Sequence, residues 1–153
     1  MIRFITDEKE KEHIAREILT QLPEWFGLPE STAEYIENSK DMPFWTYFNE
    51  DKHIGFIALK ETSGVTAEIY VMGILKAYHR MGIGHRLYET FEQYAKEQGY
   101  EFVQVKMVKK GRYKEYDITN SFYEKLGFKE FECFPTLWDE WNPCQVYVKY
   151  IGD

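Results

Sequence analysis

The spacing of apolar positions changes period several times along the chain, and each change marks an element. Residues 2–5 predict a short first strand. Thr6 is placed to cap a following helix, with Asp7 and Glu8 in its first turn. Ile14, Ala15, Ile18, Leu19 and Leu22 recur at helical spacing, and Pro23 ends the pattern. An aromatic loop follows at 24–29. Ser31 and Glu34 then form a capping-box pattern, predicting a second helix from there to about Ser39. Residues 44–48 read as a strand, 49–52 as a turn, and 53–60 as the return strand of a hairpin. After a turn at 62–64, residues 67–75 give a further strand. Beyond Gly82 and Gly84 comes a strong helix, with Ile83, Leu87, Phe91, Tyr94 and Ala95 on one face and Gly99 as its stop. Residues 102–108 predict a strand, 109–116 a polar loop, and 120–126 a short helix ending at Gly127. Two last strands, 128–134 and 144–151, flank a loop rich in tryptophan. The order β-α-α-β-β-β-α-β-α-β-β predicts an α/β protein with a mixed sheet.

Composition narrows the class. The chain has 153 residues, 44% hydrophobic and 18% aromatic, which suits one domain over 1–153 with a full core. The net charge of −7 argues against a basic nucleic-acid surface, so no nucleic-acid partner is expected. No apolar run reaches the ~18 residues of a membrane span, so no membrane partner is expected either. The N-terminus lacks the apolar core of a signal peptide, and a cytoplasmic location is expected. Cys133 and Cys144 are too few for a disulfide framework or a zinc site; both read as reduced, buried thiols, and no metal is expected.

The candidate chemistry concentrates where a strand runs into a glycine turn and then a helix. Gly82 and Gly84 leave room for a ligand at the backbone. The free N–H groups of Met81, Gly82, Ile83 and Gly84 at the helix start make an anion site suited to a pyrophosphate, and His79, Arg80, His85 and Arg86 add possible positive charge. The dinucleotide fingerprint is excluded because its third glycine falls on Leu87, and no P-loop is present. Alone, the turn reads equally well as a plain strand-to-helix connection.

A second segment, Asn120-Ser121-Phe122-Tyr123-Glu124-Lys125-Leu126-Gly127-Phe128, follows 36 residues after Gly84. Together the two segments resemble the GCN5-related N-acetyltransferase (GNAT) superfamily. Its turn motif, [Q/R]-x-x-G-x-[G/A], reads here as His79-Arg80-Met81-Gly82-Ile83-Gly84, with histidine departing from the first position. Its later motif, a tyrosine followed by x-x-x-G-F, is matched from Tyr123 to Phe128. The resemblance covers about residues 44–150. It implies the GNAT fold: a mixed sheet of about seven strands, split between strands 4 and 5 and flanked by about four helices.

The resemblance also implies a donor, acetyl-CoA, lying in that split. By position, the backbone of Met72, Gly73 and Ile74 pairs with the pantetheine and acetyl carbonyl. The turn of His79, Arg80, Met81, Gly82, Ile83 and Gly84 holds the pyrophosphate. Asn120 bonds the cofactor arm, and Tyr123 protonates the leaving sulfur. A phenol can do this, although Tyr123 also reads as a helix tyrosine packed on the sheet. Glu68, where related enzymes often place a glutamate, is the candidate base; otherwise it is an exposed strand carboxylate. His53, His79 and Asp117 are weaker candidates.

The acceptor site implied by the resemblance draws on the loop after the first helix and on the late strand loop. Trp25, Phe26 and Trp138 are the candidate substrate-binding residues, with Trp141, Glu24, Asp139 and Glu140 beside them. An aromatic, acidic pocket suits a small cationic amine such as an aminoglycoside or a polyamine. The same tryptophans could instead cap the core. The rival functions are a protein or peptide N-acetyltransferase and a non-catalytic acyl-CoA-binding module. Exposed aromatics and edge strands make a homodimer a further expectation.

Overall fold

The computed structural model describes residues 1–152. Its elements in chain order are β1 (Ile2–Phe4), α1 (Glu8–Leu19), α2 (Pro29–Ser39), β2 (Phe44–Asn49), β3 (Lys52–Ser63), β4 (Thr66–Ile74), α3 (Ile83–Glu97), β5 (Phe102–Val108), α4 (Lys114–Lys125), β6 (Lys129–Phe134) and β7 (Cys144–Tyr150). The fold class and element order agree with the sequence reading. A single 3-10 turn at Lys76–Tyr78, between β4 and α3, was not expected.

All seven strands form one sheet in the order β1-β2-β3-β4-β5-β7-β6. Every neighbouring pair is antiparallel except β4 and β5. That parallel pair engages at only three positions, Thr66 with Phe102, Ala67 with Val103 and Glu68 with Gln104. Beyond Glu68 the two strands part, while β4 keeps its ladder with β3 and β5 keeps its ladder with β7. The sheet is thus split where the family resemblance placed the split.

A bulge in β4 shapes the same region. Ala58 pairs with Val71 and Leu59 with Ile69, so Tyr70 is an extra residue without a partner on β3. A bulge bends the strand and re-aims the side chains after it. Past it, neighbouring residues meet opposite layers. A Cβ on Gly73 would meet Ile18, Leu19 and Leu22 of α1, whereas Ile74 pairs with Gly55, whose own missing Cβ makes room beside Leu87 of α3. The core fills both layers, with Ile14, Ile18 and Leu19 of α1 and Leu87 and Phe91 of α3 fully buried against Phe56, Ile57 and Val103.

The ends of α1, α2 and α4 differ from expectation. Asp7, not Thr6, caps α1, because its carboxylate accepts from the Glu10 N–H at 2.9 Å. The helical spacing expected to reach Leu22 ends at Leu19; Leu22 is buried in the turn that follows. The capping box at Ser31 and Glu34 does not form, because Pro29 opens α2 two residues earlier with its φ already set for a helix. α4 starts at Lys114, inside the segment expected to be a loop. A buried lysine, Lys11 on α1, ties the helix pair together by donating to the carbonyls of Lys40 and Met42 at 3.1 and 2.7 Å.

Candidate active site

The turn before α3 has the geometry of an anion cradle. Arg80 and Gly82 both take left-handed backbone angles, with φ of 64° and 79°. Gly82 is the N-cap of α3 and offers no side chain to the first turn, so the opening N–H groups keep their donors free. A Cβ at Gly82 would meet no atom within 4 Å, whereas one at Gly84 would lie 3.2 Å from Met72 Cε and Phe122 Cζ. Gly84 therefore lets the start of α3 close on β4 and α4. His79 donates from Nε2 to the Ile74 carbonyl at 2.6 Å, anchoring the turn to the end of β4. Met81 and Arg80 are exposed and Ile83 is buried. Arg86 is engaged elsewhere, donating to the Tyr47 hydroxyl at 3.1 Å.

Tyr123 reaches β4 from α4. It is buried, and its hydroxyl lies 3.9 Å from Met72 Sδ, on the parted stretch of β4. Burial pushes its phenol pKa well above the ordinary value, so the hydroxyl keeps its proton through the physiological range. Asn120, one turn earlier, is fully buried, with its polar atoms engaged by the protein. Its Nδ2 donates to the carbonyls of Val108 and Tyr116 at 3.0 and 2.6 Å, and its Oδ1 accepts from the Tyr147 hydroxyl at 2.5 Å. The structure thus uses Asn120 to fix α4 on β5 and β7.

Glu68 sits at the last paired position before the strands part, and it is buried, not an exposed strand carboxylate. Its Oε1 accepts from Gln104 Nε2 at 2.6 Å and lies 3.5 Å from Lys106 Nζ. Tyr147 pairs with Val105 and points to Asn120 on α4, so Gln104 and Lys106, its alternates, point to the opposite face, toward α2. On that face the rings of Phe26, Tyr35 and Tyr70 form a chain, with centroids 5.8 and 5.3 Å apart. Tyr35 is pushed up to about 12, mainly by burial.

Trp25 locks the loop after α1 onto α4. Its indole donates to Thr119 Oγ1 at 3.2 Å and to the Glu115 carbonyl at 3.3 Å, and the Tyr116 hydroxyl donates to its carbonyl at 2.7 Å. Its ring also meets His79 edge-on at 5.6 Å. Trp25 and Phe26 are half-buried at the core margin, while Trp138 and Trp141 are exposed at 43% and 67% and do not cap the core. Among the described residues no ring contact joins Trp138 to Trp25 or Phe26. Glu24 pairs with Lys76, whose hydrogen bond holds its carboxyl below the usual range. Asp139 folds its own loop, accepting from the N–H groups of Trp141 and Asn142. His53 bonds Thr46, and Asp117 accepts from the Gly111 N–H.

Sequence reasoning did not find Gln104, Lys106, Tyr35, Tyr70 and Tyr116. The alternation of β5 could have placed Gln104 and Lys106 on one face, but not opposite Glu68.

A sheet parted between two parallel strands, with a glycine turn and an uncapped helix N-terminus beside the gap, defines an acetyltransferase frame of the GNAT type. The family model described as acetyltransferase (GNAT) family matches residues 11–128, and the chain belongs to that family; its reaction class is acetyl transfer. Among similar solved structures, a protein assigned to the GNAT acetyltransferases of Desulfovibrio desulfuricans is 14% identical, with 99% of this chain and 98% of that one covered at a TM-score of 0.83. An aminoglycoside 6'-N-acetyltransferase complexed with coenzyme A is 18% identical, with coverage of 99% and 97% at 0.75. The ribosomal-protein-S18-alanine N-acetyltransferase of Escherichia coli is 16% identical, with coverage of 100% and 96% at 0.77. No curated protein matches the chain. No helix among the described residues is long and apolar enough to cross a membrane.

Proposed function

We propose that the protein moves an acetyl group from acetyl-CoA to the primary amine of a small cationic molecule, such as an aminoglycoside or a polyamine. The observation that supports this reading is that a buried phenol and a buried carboxylate both border one split. Tyr123 reaches the parted stretch of β4 from α4, and Glu68 stands where the parting begins. The residues present fit a CoA thioester. The backbone of Met72, Gly73 and Ile74 lies along the parted edge of β4, and the turn from His79 to Gly84 opens a helix without a side-chain cap.

The donor supplies an acetyl carbon bound to a leaving thiolate. Glu68 takes a proton from the acceptor's ammonium, freeing the lone pair that forms the new C–N bond. Backbone N–H groups on β4 stabilise the charge that builds on the carbonyl oxygen. Tyr123 gives its proton to the sulfur as the C–S bond breaks, and the second proton of the acylated nitrogen, directly or through water, restores the phenol, leaving a neutral amide and free CoA. Asn120 supports the donor arm by holding α4, and so Tyr123, against β5. Trp25, Phe26 and Trp138 bind the acceptor through aromatic faces, helped by the acidic balance of the chain.

CoA release from acetyl-CoA, followed with aminoglycosides, polyamines, amino acids and short peptides, tests this reading. Turnover with the cationic small molecules is expected. Turnover with peptides alone would replace the acceptor class. Thermal stabilisation by acetyl-CoA without turnover of any amine would point to a binding module.

A further inference from the structure

We infer that Gln104 and Lys106 on β5 are positioning residues for Glu68, holding one carboxylate oxygen so that the other faces the acceptor amine. This rests on the reading of Glu68 as the proton acceptor. Glu68 is only 5% exposed, and a carboxylate so buried needs partners to stay ionised. Its two partners use the same atom. Gln104 Nε2 donates to Oε1 at 2.6 Å, and Lys106 Nζ stands 3.5 Å from that oxygen. Among the described residues no group bonds Oε2. The carboxylate is therefore held from one side and free on the other.

The two holders differ in what they supply. Gln104 pairs with Glu68 across the last parallel position and fixes the direction of the carboxylate without adding charge. Lys106, two residues on, stands on the same face where β5 has left β4, and its side chain is one-third exposed. It brings a positive charge to the side of the carboxylate that Gln104 already holds. The other groups facing Glu68 are Lys60 across the β3 ladder, Tyr70 on its own strand, Tyr35 from α2 and Cys144 on β7. Burial raises Cys144 to about 11 and Tyr35 to about 12, so both stay neutral near pH 7 and leave Lys106 and Lys60 as the local cations. Lys60 lies over the Tyr70 ring, with Nζ 5.7 Å from its centroid.

Titration of Glu68 tests the inference whatever the acceptor proves to be. The carboxyl carbon of Glu68 is followed by NMR against pH in protein labelled with 13C-glutamate, and Glu68→Gln assigns the signal. In Lys106→Met the titration midpoint should rise by about one pH unit, and Lys106→Arg should restore it. Gln104→Leu should lower kcat about tenfold by misaiming the base, with KM for acetyl-CoA unchanged, in an assay using the amine that turns over in the panel above. An unmoved midpoint in Lys106→Met would overturn the inference, as would a Gln104→Leu enzyme whose only change is a lower Tm. Full turnover by Glu68→Gln is a separate result: it would overturn the reading of Glu68 as base, whatever the midpoints of the Lys106 variants.

Discussion

Tyr123 joins two properties that pull in different directions. Burial holds its phenol in the protonated form, and the same burial leaves it with one weak partner, the Met72 sulfur at 3.9 Å. A hydroxyl with so poor a partner adds little to stability, so its removal isolates chemistry from folding. Tyr123→Phe should therefore lower kcat about 100-fold while stability stays within about 0.5 kcal/mol. Stopped-flow kinetics and urea unfolding on one preparation check both halves, and unchanged kcat would remove the acid from the mechanism. The motif ending in Gly127-Phe128 made Tyr123 legible because its neighbours are local in sequence. Glu68 was legible as a residue but not as a buried, paired one, since its partners lie 36 and 38 positions away and meet it only through the β4–β5 register. Tyr35 and Tyr70 escaped notice for the same reason: a bulge in β4, which no local signal announces, leaves Tyr70 as the extra residue and sets it beside α2.

Helices and strands here are tied by single polar side chains at buried junctions. Asn120 is one such tie, joining α4 to β5 through Val108 and to β7 through Tyr147. Asn120→Ala would strip partners from a buried hydroxyl and two carbonyls, costing about 3 kcal/mol in a urea titration. A loss under about 0.5 kcal/mol would show that water replaces the side chain freely. Glu92 is another tie, accepting from Tyr88 on its own helix at 2.7 Å and from Lys149 on β7 at 2.6 Å. Burial works to raise its pKa, but the bonds from Lys149 and Tyr88 outweigh that and hold it below the usual carboxylate value. A carboxyl depressed on folding contributes stability above its unfolded pKa of about 4.3 and loses it as pH falls through the folded value. The Tm gap between the wild type and Glu92→Gln should thus be widest near neutral pH and close below about pH 4. A gap that persists at low pH would assign the effect to packing. Periodicity gave every strand and helix in order, yet it missed the first half of α4. Lys114, Glu115 and Asp117 look like loop, and the helix there gains from a distant residue, Trp25, which docks on Glu115 and Thr119.

The molecule as a whole is two half-sheets that share three residue pairs. β1 to β4 carry α1, α2 and α3, while β5 to β7 carry α4. Between Glu68 and the ends of β4 and β5 no ladder crosses, although on their outer sides β5 is paired throughout and β4 at every position but the bulged Tyr70. The N–H groups of β4 that point into the gap lack the strand partners their neighbours have, so they should exchange with solvent faster than the β3–β4 ladder. A ligand that lies in the gap and bonds this edge would slow that exchange and join the halves without new protein contacts. Acetyl-CoA at 100 times its Kd should add about 2.7 kcal/mol of stability, since it binds only the folded form. The slowed amides should be those of residues 69–74 and the start of α3, where the parted strand and the glycine turn face the same ligand. Hydrogen exchange with and without acetyl-CoA measures both regions at once. Protection at α3 alone would mean that the pyrophosphate turn binds while the split stays unused. Protection at both would mean that one ligand completes the sheet.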